Sequence, residues 1–204
     1  MRFAPWVVAA CLLILPGKAS AAPIVINFDG LAEFDAVLNQ FSGLTFSNAT
    51  VLTAGTSLNE FEFPPHSGSN VVFDDVGAMS IAFATPIFSF GGFFTYLSPL
   101  TLTAFDTSNN ALGSVSSEYL TNLALSGDAG SSPNEILQFM SSIAIGSVTI
   151  AGDPGGGSFV LDDLTYDTQP AAVPEPGTLV LLATGGVITL FRRRRALRRT
   201  RVCG

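Results

Sequence analysis

The chain has 204 residues, with sixteen Asp or Glu against nine Lys or Arg, and a formal net charge of −7. The basic residues lie only near the two ends, so residues 22–172 hold fifteen acidic residues and no Lys or Arg. This excludes nucleic-acid binding by that region, because contacts to phosphate need cations. Cys11 and Cys203 both lie outside the region, which excludes a disulfide framework and a thiolate metal site within it.

The first 21 residues have the pattern of a secretory signal peptide. Arg2 precedes an apolar run over residues 3–15, which ends at Pro16 and Gly17. An Ala-Ser-Ala cleavage site follows at residues 19–21, so we expect cleavage between Ala21 and Ala22. Residues 22–168 are then the exported domain.

Residues 22–168 have the pattern of an all-β, antiparallel β-sandwich. Short apolar runs alternate with Gly, Ser, Thr, Asn and Pro at intervals of roughly 8–15 residues. Alternation is clearest where Leu102 and Ala104 interleave with Thr101 and Thr103. The predicted strands are 24–28, 44–46, 50–52, 70–73, 79–83, 88–96, 100–106, 112–117, 135–139, 143–150 and 158–166.

Two local features depart from plain alternation. Apolar residues of segment 31–41 recur at helical spacing, which predicts a short helix after the first strand. In the last strand the apolar residues Phe159 and Leu161 have odd numbers, whereas Leu164 and Tyr166 have even numbers. The apolar side therefore changes across Asp162 and Asp163, which predicts a β-bulge there.

Motifs for catalysis are sparse. His66 is the only histidine, it lies in a Pro-rich loop, and no G-x-S-x-G motif surrounds a serine. Fifteen acidic residues supply carboxylate pairs for glycoside hydrolysis, but residues 22–172 contain no Trp or cation for sugar contacts. We expect a protein that is not an enzyme, and the alternative is a secreted carboxylate-dependent polysaccharide hydrolase.

The C-terminal part has three consecutive segments. Residues 169–177 form a Pro-rich linker, residues 178–191 are an uncharged apolar run, and residues 192–204 are basic. Fourteen helical residues span about 21 Å, which is short of the roughly 30 Å hydrocarbon core, so this transmembrane helix would anchor weakly. The basic end predicts a cytoplasmic C-terminus. An ordinary single-pass anchor with a stop-transfer cluster also fits these properties.

The residues of this tail resemble the PEP-CTERM sorting signal. Its proline-rich motif consists of Val173, Pro174, Glu175, Pro176 and Gly177, and its basic cluster consists of Arg192, Arg193, Arg194 and Arg195. The resemblance implies recognition by an exosortase, a membrane transpeptidase-like protease, and removal of the tail. It also implies transient anchoring in the inner membrane, followed by release to the cell surface or extracellular matrix.

The ends of the exported domain are similar to those of jelly-roll carbohydrate-binding modules. The similarity lies in an opening Ile26-Asn27-Phe28-Asp29 and a closing Phe159-Val-Leu-Asp162-Asp163. It implies adjacent terminal strands and a candidate structural calcium site formed by Asp29, Asp162 and Asp163. Hard carboxylate oxygens suit calcium. The alternative is that these three are exposed acidic residues at the ends of strands.

Together these features predict an exported, non-enzymatic surface or matrix protein. Its expected partners are an exosortase, the membrane and a polysaccharide, since the PEP-CTERM resemblance implies a role in exopolysaccharide-linked biofilm. Ice binding is a poor alternative, because the Thr101-Leu102-Thr103 pattern is isolated.

Overall fold

Residues 22–169, the part of the chain that the computed structural model describes, form an antiparallel β-sandwich of nine strands. The strands are β1 (Ile24–Ile26), β2 (Leu44–Ser47), β3 (Ala49–Thr53), β4 (Asn70–Asp74), β5 (Met79–Tyr96), β6 (Thr101–Asp106), β7 (Ala111–Ser116), β8 (Glu135–Ala151) and β9 (Phe159–Asp167). The predicted all-β antiparallel fold is confirmed.

Two long strands, β5 and β8, take part in both layers. The first sheet contains β2, the beginning of β5, the end of β8, β6 and β7, in that order. The second sheet contains the beginning of β8, the end of β5, and then β9, β4 and β3. The β5–β8 register is irregular between Ala82 and Ser89, where both strands pass from one sheet to the other.

Inward side chains of both sheets form one hydrophobic core. In the first sheet Ile81, Leu102 and Val148 are fully buried, while their sequence neighbours point outward. Phe90 and Phe94 of the second sheet belong to the same cluster. The strand period of two therefore divides each sheet into a core face and an outer face.

Most predicted strands lie at the expected positions, but two pairs are single strands. Segments 79–83 and 88–96 are both parts of β5, and segments 135–139 and 143–150 are both parts of β8. Pro86 indicates a break because it has no N–H for the ladder. It lies where the β5–β8 register is already interrupted, so the strand continues through it.

The predicted helix over segment 31–41 is wrong. This segment forms turns and pairs with the edge of β3, where the N–H of Phe34 donates to the Val51 carbonyl and the N–H of Val37 donates to the Ala49 carbonyl. Phe34 has a φ of 61°, which a helix does not allow, and its side chain is 65% exposed. Pairing with the edge strand replaces the helical hydrogen bonds.

The bulge in the last strand is present. Between the pairs Gly91–Thr165 and Phe93–Asp162, β9 advances three residues while β5 advances two. Asp163 has a φ of 44°, in the left-handed region that bulges often use. Beyond the bulge β1 pairs with β9, with Ile26 opposite Leu164, so the first and last strands are adjacent as the jelly-roll similarity implies.

Several predicted segments lie outside the described residues. They are the signal peptide (1–21) with its cleavage site, most of the linker (169–177), the apolar segment (178–191) and the basic end (192–204). Within residues 22–169, no helix is long and apolar enough to span a membrane.

Candidate functional site: the loop at residues 66–70 and its aspartates

The three predicted calcium ligands all contact one loop. This loop, residues 66–70, precedes and enters β4 and contains His66, the only histidine of the chain. Asp29 follows β1, whereas Asp162 and Asp163 form the bulge of β9. The structure thus brings together residues from three distant parts of the sequence.

Asp162 holds the beginning of the loop through its backbone. Its Oδ2 accepts hydrogen bonds from the N–H groups of His66 and Ser67, each at 2.8 Å. Its Oδ1 accepts from the N–H of Asp163 at 2.7 Å. The residue is only 1% exposed, so these three donors replace the water that its carboxylate loses on folding.

Asp163 holds the side chains of the same loop. Its Oδ2 lies 2.6 Å from Nδ1 of His66, and its Oδ1 accepts a hydrogen bond from the hydroxyl of Ser67 at 2.9 Å. The imidazole of His66 stacks on the ring of Phe93, with centroids 3.4 Å apart and planes 11° apart. Ser67 therefore donates to a carboxylate and not to the imidazole, which differs from the nucleophile–base contact of a serine hydrolase.

Asp29 holds the end of the loop. Its Oδ1 accepts from the N–H groups of Ser69 at 2.9 Å and Asn70 at 3.1 Å. The Asn70 side chain in turn donates to the carbonyls of Phe28 and Leu31. Gly68 has a φ of +54°, and a β-carbon there would overlap the Asp29 carboxylate.

Burial governs the electrostatics of Asp162. It raises the pKa of the Asp162 carboxyl to about 6; the negative charge of Asp163 acts in the same direction, and the N–H donors of Ser67, Asp163 and His66 oppose it. Burial likewise raises the pKa of Asp74, although that carboxylate accepts hydrogen bonds from Ser158 and Phe159.

The carboxylate oxygens of the three aspartates are largely occupied. Five of the six accept hydrogen bonds or contact His66, and a calcium ion would have to displace those groups. Among residues 22–169, no three His, Cys, Asp or Glu side chains are arranged as metal ligands. The calcium site stays a prediction.

The sequence did not identify the main role of the acidic residues. Within residues 22–169, ten of the fifteen accept a hydrogen bond from a backbone N–H group, and most of these N–H groups lie in loops. The ten are Asp29, Asp35, Glu62, Asp74, Asp106, Asp128, Glu135, Asp153, Asp162 and Asp167. The sequence does indicate this role for Asp106 and Asp153. Each begins a turn, where the Asp side chain is expected to accept a hydrogen bond from the backbone two residues later. Glu62 and Asp74 bind loops distant in sequence, which no local pattern indicates.

Comparison with known protein families tests the predicted sorting signal. Residues 172–195 match the PEP-CTERM protein-sorting motif. The chain carries a PEP-CTERM sorting signal. The matched range contains both the motif at residues 173–177 and the arginines at residues 192–195, so this prediction is confirmed. The signal indicates an exported exosortase substrate that is anchored transiently in the membrane before sorting.

Comparison of the described fold with solved structures gave only weak similarity. The K2 adhesin domain of Lys-gingipain is 11% identical with a TM-score of 0.43, over 71% of this chain and 99% of that chain. A family 29 carbohydrate-binding module complexed with cellulohexaose is 12% identical with a TM-score of 0.41, over 78% and 100%. A family 22 xylan-binding domain is 13% identical with a TM-score of 0.38, over 77% and 100%. A search of curated proteins gave no match.

Substitution of Gly68 tests how closely the loop and Asp29 fit together. We expect Gly68→Ala to lower the unfolding free energy of residues 22–169 by about 2–4 kcal/mol, because it adds both positive-φ strain and overlap with Asp29. Gly43→Ala is the matched control, since Gly43 has a φ of +81° but open space around it, and it should cost about 1 kcal/mol. Equal losses in urea denaturation would contradict the close contact.

The raised pKa of Asp162 predicts a pH dependence of stability. Between the unfolded pKa of 3.8 and the folded pKa of about 6, the folded chain holds a proton that the unfolded chain releases. Stability should therefore rise as the pH falls from above 6 towards 4, by at most about 3 kcal/mol from this group. Asp74 acts in the same direction.

Urea denaturation at pH 7.5 and at pH 5 measures this dependence. Asp162→Asn should reduce the difference between the two pH values, whereas His66→Gln serves as the control for histidine, which as a residue type titrates in this range. An unchanged difference in Asp162→Asn would show that another group is responsible.

Thermal melting tests the predicted calcium site. If Asp29, Asp162 and Asp163 bind calcium, excess calcium should raise the melting temperature of residues 22–169 relative to a chelator, because a ligand that binds only the folded state stabilises it. Asp29→Asn should remove the effect, whereas Asp35→Asn, at an exposed residue of another loop, should keep it. Coincident melting curves with calcium and with chelator would refute the site.

Proposed function

We propose that this chain is a non-enzymatic protein of the cell surface or extracellular matrix, which an exosortase releases and which associates with exopolysaccharide in a biofilm. The PEP-CTERM signal at residues 172–195 carries this proposal. In the proposed topology, residues 22–168 lie outside the inner membrane and the arginine cluster lies in the cytoplasm. The apolar segment holds the chain until the exosortase acts.

Removal of both ends would change the charge of the protein. The nine basic residues lie in the predicted signal peptide and in the segment that follows the apolar run. Residues 22–172 of the exported product would keep fifteen acidic residues and no Lys or Arg, a net charge of −15 with His66 neutral. Such a product repels its own copies and anionic polymers, and it stays soluble after release.

The geometry of the acidic residues supports a non-enzymatic role. Asp162 is the carboxyl whose pKa burial raises to about 6, but it is 1% exposed and is held by three N–H donors. A general acid for glycoside hydrolysis must reach the bond that it protonates. Incubation with polysaccharide and assay of reducing ends tests the alternative of a hydrolase.

Intact-mass analysis of surface and secreted material tests the sorting mechanism. We expect a product that begins at Ala22 and lacks Arg192–Arg201, and we expect the full tail to persist in cells without exosortase. Replacing Pro174, Glu175 and Pro176 with Ala should have the same effect as removing the exosortase. Pro170→Ala, outside the matched range, is the control and should be processed normally. Surface material that retains the full tail would contradict the proposal.

A further inference from the structure

Five hydroxyl side chains lie in one row across the first sheet. The strand registers place Ser47 of β2 opposite Ser80 of β5, and Ser80 opposite Thr149 of β8. Thr149 is opposite Thr103 of β6, which is opposite Ser114 of β7. Directly opposed residues of antiparallel strands point to the same face, so the row continues across all five strands.

The row faces outward. The strand neighbours Phe46, Ile81, Leu102 and Val148 are at most 2% exposed and belong to the core. Because successive side chains of a strand alternate between the two faces, the five hydroxyl residues lie on the opposite side from this core. Ser47 and Ser114 are exposed and the other three are half-buried.

The adjacent rows of the same face are also uncharged. On one side Thr101 lies between Ser116 and Ala151. On the other side the registers align Thr45, Ala82, Ser147 and Phe105. We call these three rows the hydroxyl face; its members are Thr45, Ser47, Ser80, Ala82, Thr101, Thr103, Phe105, Ser114, Ser116, Ser147, Thr149 and Ala151. They include no ionisable residue, in a domain with fifteen acidic residues.

The hydroxyl face has free hydrogen-bonding capacity. Ser47 and Ser80 pair through their hydroxyl oxygens at 2.6 Å, and Thr101 pairs with Ser116 at 3.3 Å. Within residues 22–169, the hydroxyls of Thr103, Thr149 and Ser114 have no hydrogen-bonding partner. Each hydroxyl offers one donor and two acceptor positions.

We propose that the hydroxyl face binds a neutral polysaccharide. This inference rests on the proposed association with exopolysaccharide, and it names the surface and the class of polymer. Sugar hydroxyls donate and accept as Ser and Thr do, so the two surfaces complement each other without charge. An anionic polymer would be repelled by the acidic residues elsewhere in the domain.

The dimensions of the face favour an extended ligand. Five strands at about 4.8 Å spacing make the central row about 19 Å long, and successive rows are about 7 Å apart. Many weak hydrogen bonds along such a row suit a polymer chain better than a single sugar, because each bond contributes little on its own. The half-buried Phe105 adds an aromatic ring to the face, which can contact the apolar side of a sugar.

Retention on insoluble polysaccharides tests the proposal. The full chain, with its seven tail arginines replaced by Gln because they would bind an anionic polymer, is solubilised in a polyoxyethylene detergent without sugar groups. It is applied to cellulose, curdlan and cross-linked dextran, and to alginate beads as an anionic polymer. We expect retention on at least one neutral polymer and no retention on alginate. Retention on the neutral polymer should change little with salt concentration, because no charge takes part. The triple variant Thr103→Val, Thr149→Val, Ser114→Ala should bind at least tenfold more weakly.

A matched variant and a sizing measurement separate the outcomes. Ser89→Ala with Gln138→Ala removes polar groups of the second sheet and should bind as the natural sequence does. If the triple variant binds equally well, the hydroxyl face is the wrong surface and the association with polysaccharide stands. Retention on alginate alone refutes a neutral ligand, and retention on no polymer refutes the polysaccharide association as well. If analytical ultracentrifugation shows self-association that the triple variant loses, and no polymer is retained, the occupant is a second copy.

Discussion

The fold depends on hydrogen bonds from backbone N–H groups to carboxylates. Residues 22–169 contain fifteen acidic residues and no Lys or Arg, so ordinary salt bridges with those residues cannot form. Ten of the carboxylates instead accept hydrogen bonds from backbone N–H groups. Hydrogen bonds to an ionised acceptor are stronger than neutral ones, and they satisfy N–H groups that the strands leave unpaired.

These contacts connect loops that are distant in sequence. The Glu62 carboxylate accepts from Leu125 and Ser126, and the Asp74 carboxylate accepts from Ser158 and Phe159. Asp162 attaches the 66–70 loop to the last strand in the same way. Acidity is thus compatible with an ordered domain, and the same carboxylates that suit a calcium site already have protein partners. The hydroxyl face contains no ionisable residue, and it is the surface that we propose for contact with a neutral polymer.

Much of the fold could be predicted from the sequence because strand alternation is a local property. The reversal of parity at Asp162 and Asp163 indicated the bulge, and the structure places it there. The helix over segment 31–41 was wrong because its apolar spacing fits a helix, while the unpaired edge of β3 supplies backbone partners that spacing cannot indicate. The prediction of two strands over residues 79–83 and 88–96 was wrong for a related reason. Pro86 lacks an N–H group, but it lies where the pairing of β5 with β8 is already interrupted, so β5 continues through it.

The site was predicted less completely. Asp29, Asp162 and Asp163 were grouped because the resemblance to jelly-roll carbohydrate-binding modules implied adjacent terminal strands. His66, Ser67 and Phe93 could not be added, because their contacts with the bulge join residues that are far apart in the chain. The row of hydroxyls depends on the register of five strands, and an isolated Thr101-Leu102-Thr103 gives no sign of it.

The amino-acid sequence is sufficient to identify the sorting signal and to give the net charge of the protein. The sorting signal is a linear motif, and net charge is a sum over residues, so neither depends on the fold. Which groups the carboxylates contact, and which hydroxyls align, depends on the three-dimensional fold. Both are set by strand pairing, in which a shift of one residue would move each side chain to the other face of its sheet.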